Sequence, residues 1–394
     1  LTPPPRLLTF STLYPNAAQP NHGVFVENRL RHLVGTGGAT SSVLSPIPWY
    51  PAKLGGPAAW SRLAHVPTSE QRHGLNLHHP RYLVIPRIGM SAAPALLYAG
   101  AIATARRLHA AHQFDLIDAH YVYPDGVAAI RLGRDLGLPV VITARGSDVT
   151  QLPDYAAPRR MIRWAIRRAA ALIAVSAALA DRLVDLGADP ARVTVLRNGV
   201  DLTQFHPPTD RDATRAALTL IGPTLLSVGH LIPRKGHDRV IAALPLLPES
   251  VKLLIAGEGP LEGDLRAQAD RLGVAARVRF LGAVPHAELA TIYGAADLLV
   301  LASSREGWAN VLLESMACGT AVVASPIPGN DEVVSAPAAG LIANQNTPAG
   351  LAKAIADLLA NPPSREATRA YAEAYGWDET SAGQLAVFGR VMEG

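Results

Sequence analysis

The chain has one cysteine, Cys318, in 394 residues. That excludes an intramolecular disulfide and any zinc site built on thiolates. Its setting, Met316-Ala317-Cys318-Gly319 between an expected helix and an expected strand, marks it as a small buried filler rather than a reactive thiol. Aromatic residues are scarce, at 5%. Basic residues are not interleaved with exposed aromatics and no binding motif occurs, so no nucleic acid is expected as a partner. Charged residues make up 17% against 49% hydrophobic, the balance of a globular protein with much to bury. Long apolar runs are missing. The nearest, Ile88–Ala105, is rich in alanine and contains Gly89, Pro94 and Gly100, so a buried or interfacial helix is expected there, not a span. No signal-peptide pattern is legible at the N-terminus. The expected location is the cytoplasm, with peripheral placement on the inner face of the cytoplasmic membrane as a further expectation.

At this length two domains are the natural prior. Residues 1–205 carry 21 Lys/Arg against 12 Asp/Glu, and the remainder 15 against 20, so the net charge of +4 conceals a basic first half. Such a half should meet an anionic partner or surface. Arg6–Ser11 reads as a strand, Val24–Val34 as a helix, and Ser45–Asn76, rich in Pro, Gly, Trp and His, as an extended surface excursion. Apolar runs at Tyr82–Ile85, Leu116–Ala119, Val140–Thr143 and Leu172–Val175 then alternate with helical patterns near 94–112, 125–136, 156–170 and 177–186. That is the βαβ rhythm of a parallel sheet. After Val193–Leu196, the run from Arg197-Asn198-Gly199-Val200-Asp201 to Pro207-Pro208 is dense in turn formers and marks a boundary. The rhythm resumes with strands at Leu225–Val228, Lys252–Ala256, Val278–Leu281, Leu298–Leu301, Ala321–Ala324 and Gly340–Ile342, and the tail Pro348–Glu393 reads as helical throughout. The fold class is α/β, with two doubly wound, Rossmann-like domains facing each other across a cleft.

In such sheets ligands sit beyond the carboxyl ends of the strands, and the unusual residues fall there. After Leu298–Leu301 comes Glu306 in a loop, then a helix from about Asn310 to Ala317 that carries Glu314 one turn beyond Asn310 on the same face. The helix opens just past Gly307, so the amides of Ala309, Asn310 and Val311 favour a phosphate or pyrophosphate. Glu314 is charged within an apolar helix and needs a partner or a ligand hydroxyl. After Leu225–Val228 comes Gly229-His230, then Arg234-Lys235-Gly236, two adjacent cations that suit a diphosphate or form a solvated pair. Gly257-Glu258-Gly259-Pro260 lets a ligand approach at the next strand end. In the first domain, His120-Tyr121 and Arg145-Gly146-Ser147-Asp148 end successive strands, although Asp148 serves equally well as a turn cap. Gly23, just before a helix, either admits a ligand's phosphates or is an ordinary loop glycine. Gly35-Thr36-Gly37-Gly38 follows a helix and precedes a strand, the wrong order for a phosphate loop, and carries no functional weight. Arg159, Arg160, Arg163, Arg167 and Arg168 share one face of a helix, which either lies on anionic lipid or is a solvated outer helix.

With these pieces placed, the sequence resembles the retaining glycosyltransferases of family 4, which have the GT-B fold, over nearly its whole length. The most specific elements are Glu306 and Glu314 with Gly307 and Asn310-Val311-Leu312-Leu313 between them, and Asn198-Gly199-Val200-Asp201 with Phe205 and Pro207. Val228-Gly229, Lys235-Gly236, Gly257-Glu258-Gly259-Pro260 and Leu281-Gly282 follow in the family's order. The resemblance implies a UDP- or GDP-sugar donor, held mainly by the second domain, and a saccharide or lipid-linked saccharide acceptor in cell-envelope or exopolysaccharide synthesis. It implies domains at 1–200 and 201–376, with a last helix, 377–394, crossing back to the first domain. Glu314 would hold the ribose hydroxyls and Glu306 the donor sugar. Lys235, helped by Arg234, would neutralise the diphosphate, with Gly23, Gly229, Gly257 and the backbone of Asn310 and Val311 closing around the donor. Fixed cations and amides take up the leaving group's charge, so neither a metal nor a cofactor is expected. Two positions depart from the family. His230 stands where arginine is common, so Arg234 is expected to supply that charge. Arg145 stands where many members have histidine, which makes His120 the candidate to line the site and relay the acceptor's proton. Two other readings are a nucleotide-sugar epimerase of the same fold and a catalytically silent saccharide-binding protein. Glu306 with the linker motif favours transfer over the first, and Glu306, Lys235 and Glu314 together argue against the second.

Overall fold

Runs of leucine, isoleucine and valine only four or five residues long, too short for helices and apolar on both faces, build two mainly parallel sheets. In the computed structural model, which describes residues 3–50, 63–85 and 89–393, the chain forms two compact units, Leu1–Asn198 with Trp377–Gly394, and Gly199–Gly376. The first switch of unit thus falls two residues before the expected 200/201 boundary.

The first unit contains β1 (Arg6–Phe10), β2 (Thr40–Leu44), β3 (Ile47–Trp49), β4 (Ser69–Arg72), β5 (Leu75–His78), β6 (Arg81–Leu83), β7 (Leu116–His120), β8 (Val140–Ala144), β9 (Ala171–Ala174) and β10 (Val193–Val195). Its large sheet has the order β10-β9-β8-β7-β1-β2-β5-β4, parallel except where β4 runs against β5. The order reverses between β1 and β7, so His120 and the loop after Phe10 meet at the switch point. The expected strand at Tyr82–Ile85 is corrected here. Arg81–Leu83 pairs with β3 in a separate two-stranded sheet, and the strand that joins the main sheet is β5, inside and just past the supposed excursion. β5 buries only Leu75 and Leu77 and leaves Asn76 exposed, so it lacks the continuous apolar run of its neighbours. Residues 51–62 of that excursion lie outside the described residues.

The second unit contains β11 (Thr224–Val228), β12 (Lys252–Ala256), β13 (Val278–Gly282), β14 (Leu298–Leu301), β15 (Val322–Ala324) and β16 (Gly340–Ile342). All pairs are parallel, in the order β13-β12-β11-β14-β15-β16. Numbered within the unit this is 3-2-1-4-5-6, the doubly wound order that places a ligand at the carboxyl ends of β11 and β14. Leu225, Leu253, Leu298 and Val323 of these strands share a core with Val240, Ile241 and Leu351 of the covering helices.

The tail is helical as expected, in three segments, Pro348–Ala360, Arg365–Glu373 and Trp377–Glu393. Pro362-Pro363 has no amide hydrogens to continue the first, and the Ser364 side chain caps the second by accepting from the Ala367 amide. In the third, Trp377 stacks on His32 at 5.3 Å and Phe388 is buried in the first unit's core. No helix among the described residues is long and apolar enough to cross a membrane.

Candidate active site

The second unit concentrates its charges at the switch point. β11 ends at Val228, and Gly229, with φ 145°, lets the Lys235 side chain lie against it, 3.4 Å from where a Cβ would stand. Gly236, with φ 71°, presses the turn onto β14. A Cβ there would lie 2.1 Å from the Ala302 carbonyl oxygen. The turn brings Lys235 Nζ to 2.7 Å from Glu306 Oε1 and Arg234 Nη1 to 3.3 Å from Oε2. The Ser303 hydroxyl donates to Oε1 at 2.7 Å, and Arg234 also donates to the Arg305 carbonyl at 3.0 Å. Burial alone would raise the Glu306 pKa, but Lys235 and Arg234 outweigh it and hold the carboxyl below its usual range. Glu306 is therefore ionised, and both cations converge on it.

Glu314 lies on the helix Asn310–Ala317 and is also largely buried. Its Oε1 is 3.0 Å from His286 Nε2, and its Oε2 accepts from the Tyr293 hydroxyl at 2.9 Å. Phe205 stands edge-on to both rings, at 5.1 and 6.0 Å. Asn310 and Val311 form the first turn of this helix, so their amides are directed along its axis out of its N-terminus. His230 is exposed beside Gly229. Gly257, with φ 149°, is glycine for a reason other than the expected approach of a ligand. A Cβ there would lie 1.9 Å from the Gly229 carbonyl oxygen, so the position is required where two strand-end loops pack backbone to backbone.

In the first unit the polar residues at the strand ends are buried. His120 is 1% exposed, with Nδ1 2.6 Å from Arg145 Nη2 and Nε2 3.2 Å from Asp118 Oδ2. Arg145 Nη1 donates to Asn198 Oδ1 at 3.0 Å, and Arg29 Nη1 reaches the same oxygen at 3.3 Å. Arg29 Nε donates to Gln384 Oε1 at 2.8 Å, and Gln384 Nε2 donates to Asp118 Oδ2 at 3.1 Å. Burial lowers the His120 pKa, with Asp118 opposing it. The His120 ring is thus enclosed by protein groups within this unit. Both its ring nitrogens face protein charges, which fits a neutral imidazole that orients Arg145. Asp148 accepts from the amides of Val122 at 2.8 Å and Gly146 at 2.7 Å, the turn-capping alternative. Asp125 is also buried. It accepts from the Thr12 amide and, at 3.0 Å, from the Thr12 hydroxyl, and burial pushes its pKa up to about 7. Gly23, with φ 73°, is the N-cap of the helix Val24–Gly35. A Cβ there would lie 2.4 Å from the Leu13 carbonyl, which favours the local-geometry reading of this glycine.

Residues 46–204 match the family model described as Glycosyltransferase Family 4, and residues 210–375 the model described as Glycosyl transferases group 1. D-inositol 3-phosphate glycosyltransferase 1 of Catenulispora acidiphila is 35% identical over 318 residues, covering 74% of this chain and 76% of that protein. The chain belongs to glycosyltransferase family 4. D-inositol 3-phosphate glycosyltransferase of Mycobacterium tuberculosis is 33% identical to it, and there the match spans 75% of this chain and 65% of the relative's length. Among solved structures, Anabaena HepE in complex with UDP and glucose superposes with a TM-score of 0.74 at 20% identity, over 98% of this chain and 99% of that one. Sucrose-phosphate synthase from Thermosynechococcus elongatus gives 0.80 at 20% identity, over 99% of both chains. The fold is GT-B.

Within this glycosyltransferase, Glu306, Lys235 and Arg234 form one cluster, with Glu314 on the helix that follows. His120 and Arg145 form a second cluster in the other unit. The sequence reading missed His286, Tyr293 and Gln204 around Glu314, and Arg29, Asp118 and Gln384 around Arg145. One signal was available. A carboxylate buried in an apolar helix needs donors, and His286 and Tyr293, seven residues apart, can share a helical face.

Proposed function

We propose that this glycosyltransferase moves a hexose, with retention, from a nucleotide diphosphate sugar, UDP- or GDP-linked, to a saccharide or lipid-linked saccharide acceptor in envelope or exopolysaccharide assembly. The observation that carries the donor half is the pair of cations on Glu306 at the doubly wound switch point. Lys235, Arg234 and the helix-start amides of Asn310 and Val311 would meet the diphosphate, and Glu306 the sugar hydroxyls. The C1–O bond to the diphosphate breaks with its electron pair going to the phosphate oxygen. The acceptor oxygen bonds to C1, and its proton passes to the departing diphosphate oxygen. The developing charge falls on fixed cations and amides, so the proposal assigns that work to side chains rather than to a metal, and turnover should survive EDTA.

UDP-glucose is the first donor to test, because Anabaena HepE binds UDP in its solved complexes. D-inositol 3-phosphate belongs in the acceptor screen, since the curated relatives carry that substrate in their names. Thermal-shift assays with UDP-, GDP- and ADP-sugars should give stabilisation with one base. Glu314→Ala should abolish that shift, whereas Glu306→Ala should keep it and lose turnover. Wild-type turnover in Glu306→Ala would sink the assignment.

A separate observation favours an anionic membrane surface as a partner. The helix Ala156–Ile166 buries Pro158, Ile162, Ala165 and Ile166, while Arg159, Arg160, Arg163, Arg167 and Arg168 are exposed. Arg168 lies 4.9 Å over the Trp164 ring. With Arg131 and Arg134 of the neighbouring helix, these two line a cavity of about 590 Å³ beside the first residue of β8, at the amino-terminal end of the strands, opposite the end that carries His120. Guanidinium groups around an amphipathic indole suit lipid phosphates. Cosedimentation with phosphatidylglycerol vesicles, absent with phosphatidylcholine and lost in Arg163→Glu/Arg168→Glu, is the expected result. Equal pelleting of variant and wild type would refute it.

A further inference from the structure

Glu314 is held by a hydrogen-bond chain that begins in the linker motif. Asp201 Oδ1 accepts from the amides of Thr203 and Gln204, at 3.0 Å each, and its carbonyl accepts from the Phe205 amide at 2.8 Å. This turn aims Gln204 at His286. Gln204 Nε2 lies 3.2 Å from the His286 carbonyl oxygen and 3.1 Å from His286 Nδ1. A carbonyl oxygen only accepts, so the amide nitrogen of Gln204, and not its oxygen, must face this side. Its second hydrogen is then directed at Nδ1, which must accept. The proton of the neutral imidazole therefore sits on Nε2 and is donated to Glu314 Oε1, 3.0 Å away. Tyr293, buried and T-shaped against Phe205, donates to Oε2. The carboxylate of Glu314 is thus fixed in plane by one donor on each oxygen, and each oxygen retains capacity for one further donor. That pattern fits two adjacent hydroxyls.

We infer that His286, with its tautomer set by Gln204, is a positioning residue that makes this enzyme selective for a nucleotide with an intact ribose diol. The inference rests on the reading of Glu314 as the ribose-binding group and names what keeps that group in register. Such a role belongs to binding shared by ground and transition states. Loss of His286 should raise KM for the donor and leave kcat nearly unchanged.

The test measures calorimetric affinities for UDP and GDP, each beside its 2′-deoxy counterpart, with inorganic diphosphate as a probe that lacks ribose. For the preferred base the wild-type protein should discriminate against the 2′-deoxy nucleotide by about 10- to 150-fold, the range of a hydrogen bond to a charged group. His286→Leu should reduce that ratio to within about threefold while diphosphate affinity is unchanged. His286→Gln, which retains a donor near the position of Nε2, should restore most of the ratio, and Gln204→Leu should give an intermediate value. If His286→Leu weakens both members of the pair equally, the residue is merely structural and the inference is overturned. A wild-type ratio in His286→Leu overturns it as well. A wild-type protein that itself fails to discriminate instead removes the ribose role of Glu314, so failure of the relay and failure of the underlying reading give different results.

Discussion

Lys235 and Glu306 partner each other at 2.7 Å, and each acts through the charge it keeps on the other. Lys235→Ala would leave Glu306 with Arg234 as its one cation, beside the Ser303 hydroxyl, and would remove the compact cation nearest the carboxylate. Loss of one preorganised donor to a developing oxyanion commonly slows turnover by ~10²–10³-fold. We expect a loss in kcat of about that size with the preferred donor, measured as initial rates, together with a lowered Tm, because the largely buried Glu306 carboxylate loses its nearest cation. Asp125 offers a prediction about pH. Its folded pKa, about 7, lies above the ~4 of an unfolded aspartate. The folded chain therefore binds this proton more tightly, and the stability it contributes is present at acid pH and lost as pH rises from ~4 towards neutrality. The full difference is on the order of 4 kcal/mol. Urea unfolding from pH 5 to 8 should show Asp125→Asn gaining on the wild type as pH rises. A pH-independent difference between the two would refute the burial of an ionisable carboxyl there.

The elements legible in the sequence were those with one dominant signal. Leu298–Leu301 and Lys252–Ala256 sit where their unbroken apolar runs place them, and the helix Asn310–Ala317 is bounded as expected. β5 was hidden because it buries one face only, and β6 was misassigned to the main sheet because periodicity cannot say which strand it pairs with. The same limit applied at the site. Glu306, Lys235 and Glu314 stand out as charges in apolar or glycine-rich surroundings, whereas Gln204, in a turn, and His286, at the start of a short helix, are far apart in sequence and joined only by folding. The purpose of the strand-end glycines was likewise a matter of space. At Gly257 a methyl group would meet the Gly229 carbonyl oxygen at 1.9 Å in a backbone conformation with φ 149°. Gly257→Ala should therefore destabilise the second unit by about 3 kcal/mol or more, read as a lowered urea midpoint. An unchanged midpoint would show that the loop can yield.

Chain order and spatial order part company at the C-terminus. The last helix, Trp377–Glu393, follows the second unit in sequence but belongs to the first, where Phe388 enters the core beside Val387 and Gln384 joins Arg29 to Asp118. Nothing in its amphipathic pattern names that destination. Only the resemblance to a family did. Two truncations of side chains separate its contributions. Phe388→Ala leaves a cavity in a fully buried position and should cost about 3–5 kcal/mol. Gln384→Leu removes one donor and one acceptor from a buried pair of charges, leaving Arg29 Nε and Asp118 Oδ2 each short of a partner, at about 1–3 kcal/mol for each group. In hydrogen exchange, both variants should lose protection in β1, β7 and the helix Val24–Gly35, and β11 to β16 should keep theirs. If protection falls first in β11 to β16, the helix stabilises the chain by some route other than the packing of Phe388 and the Gln384 bridge.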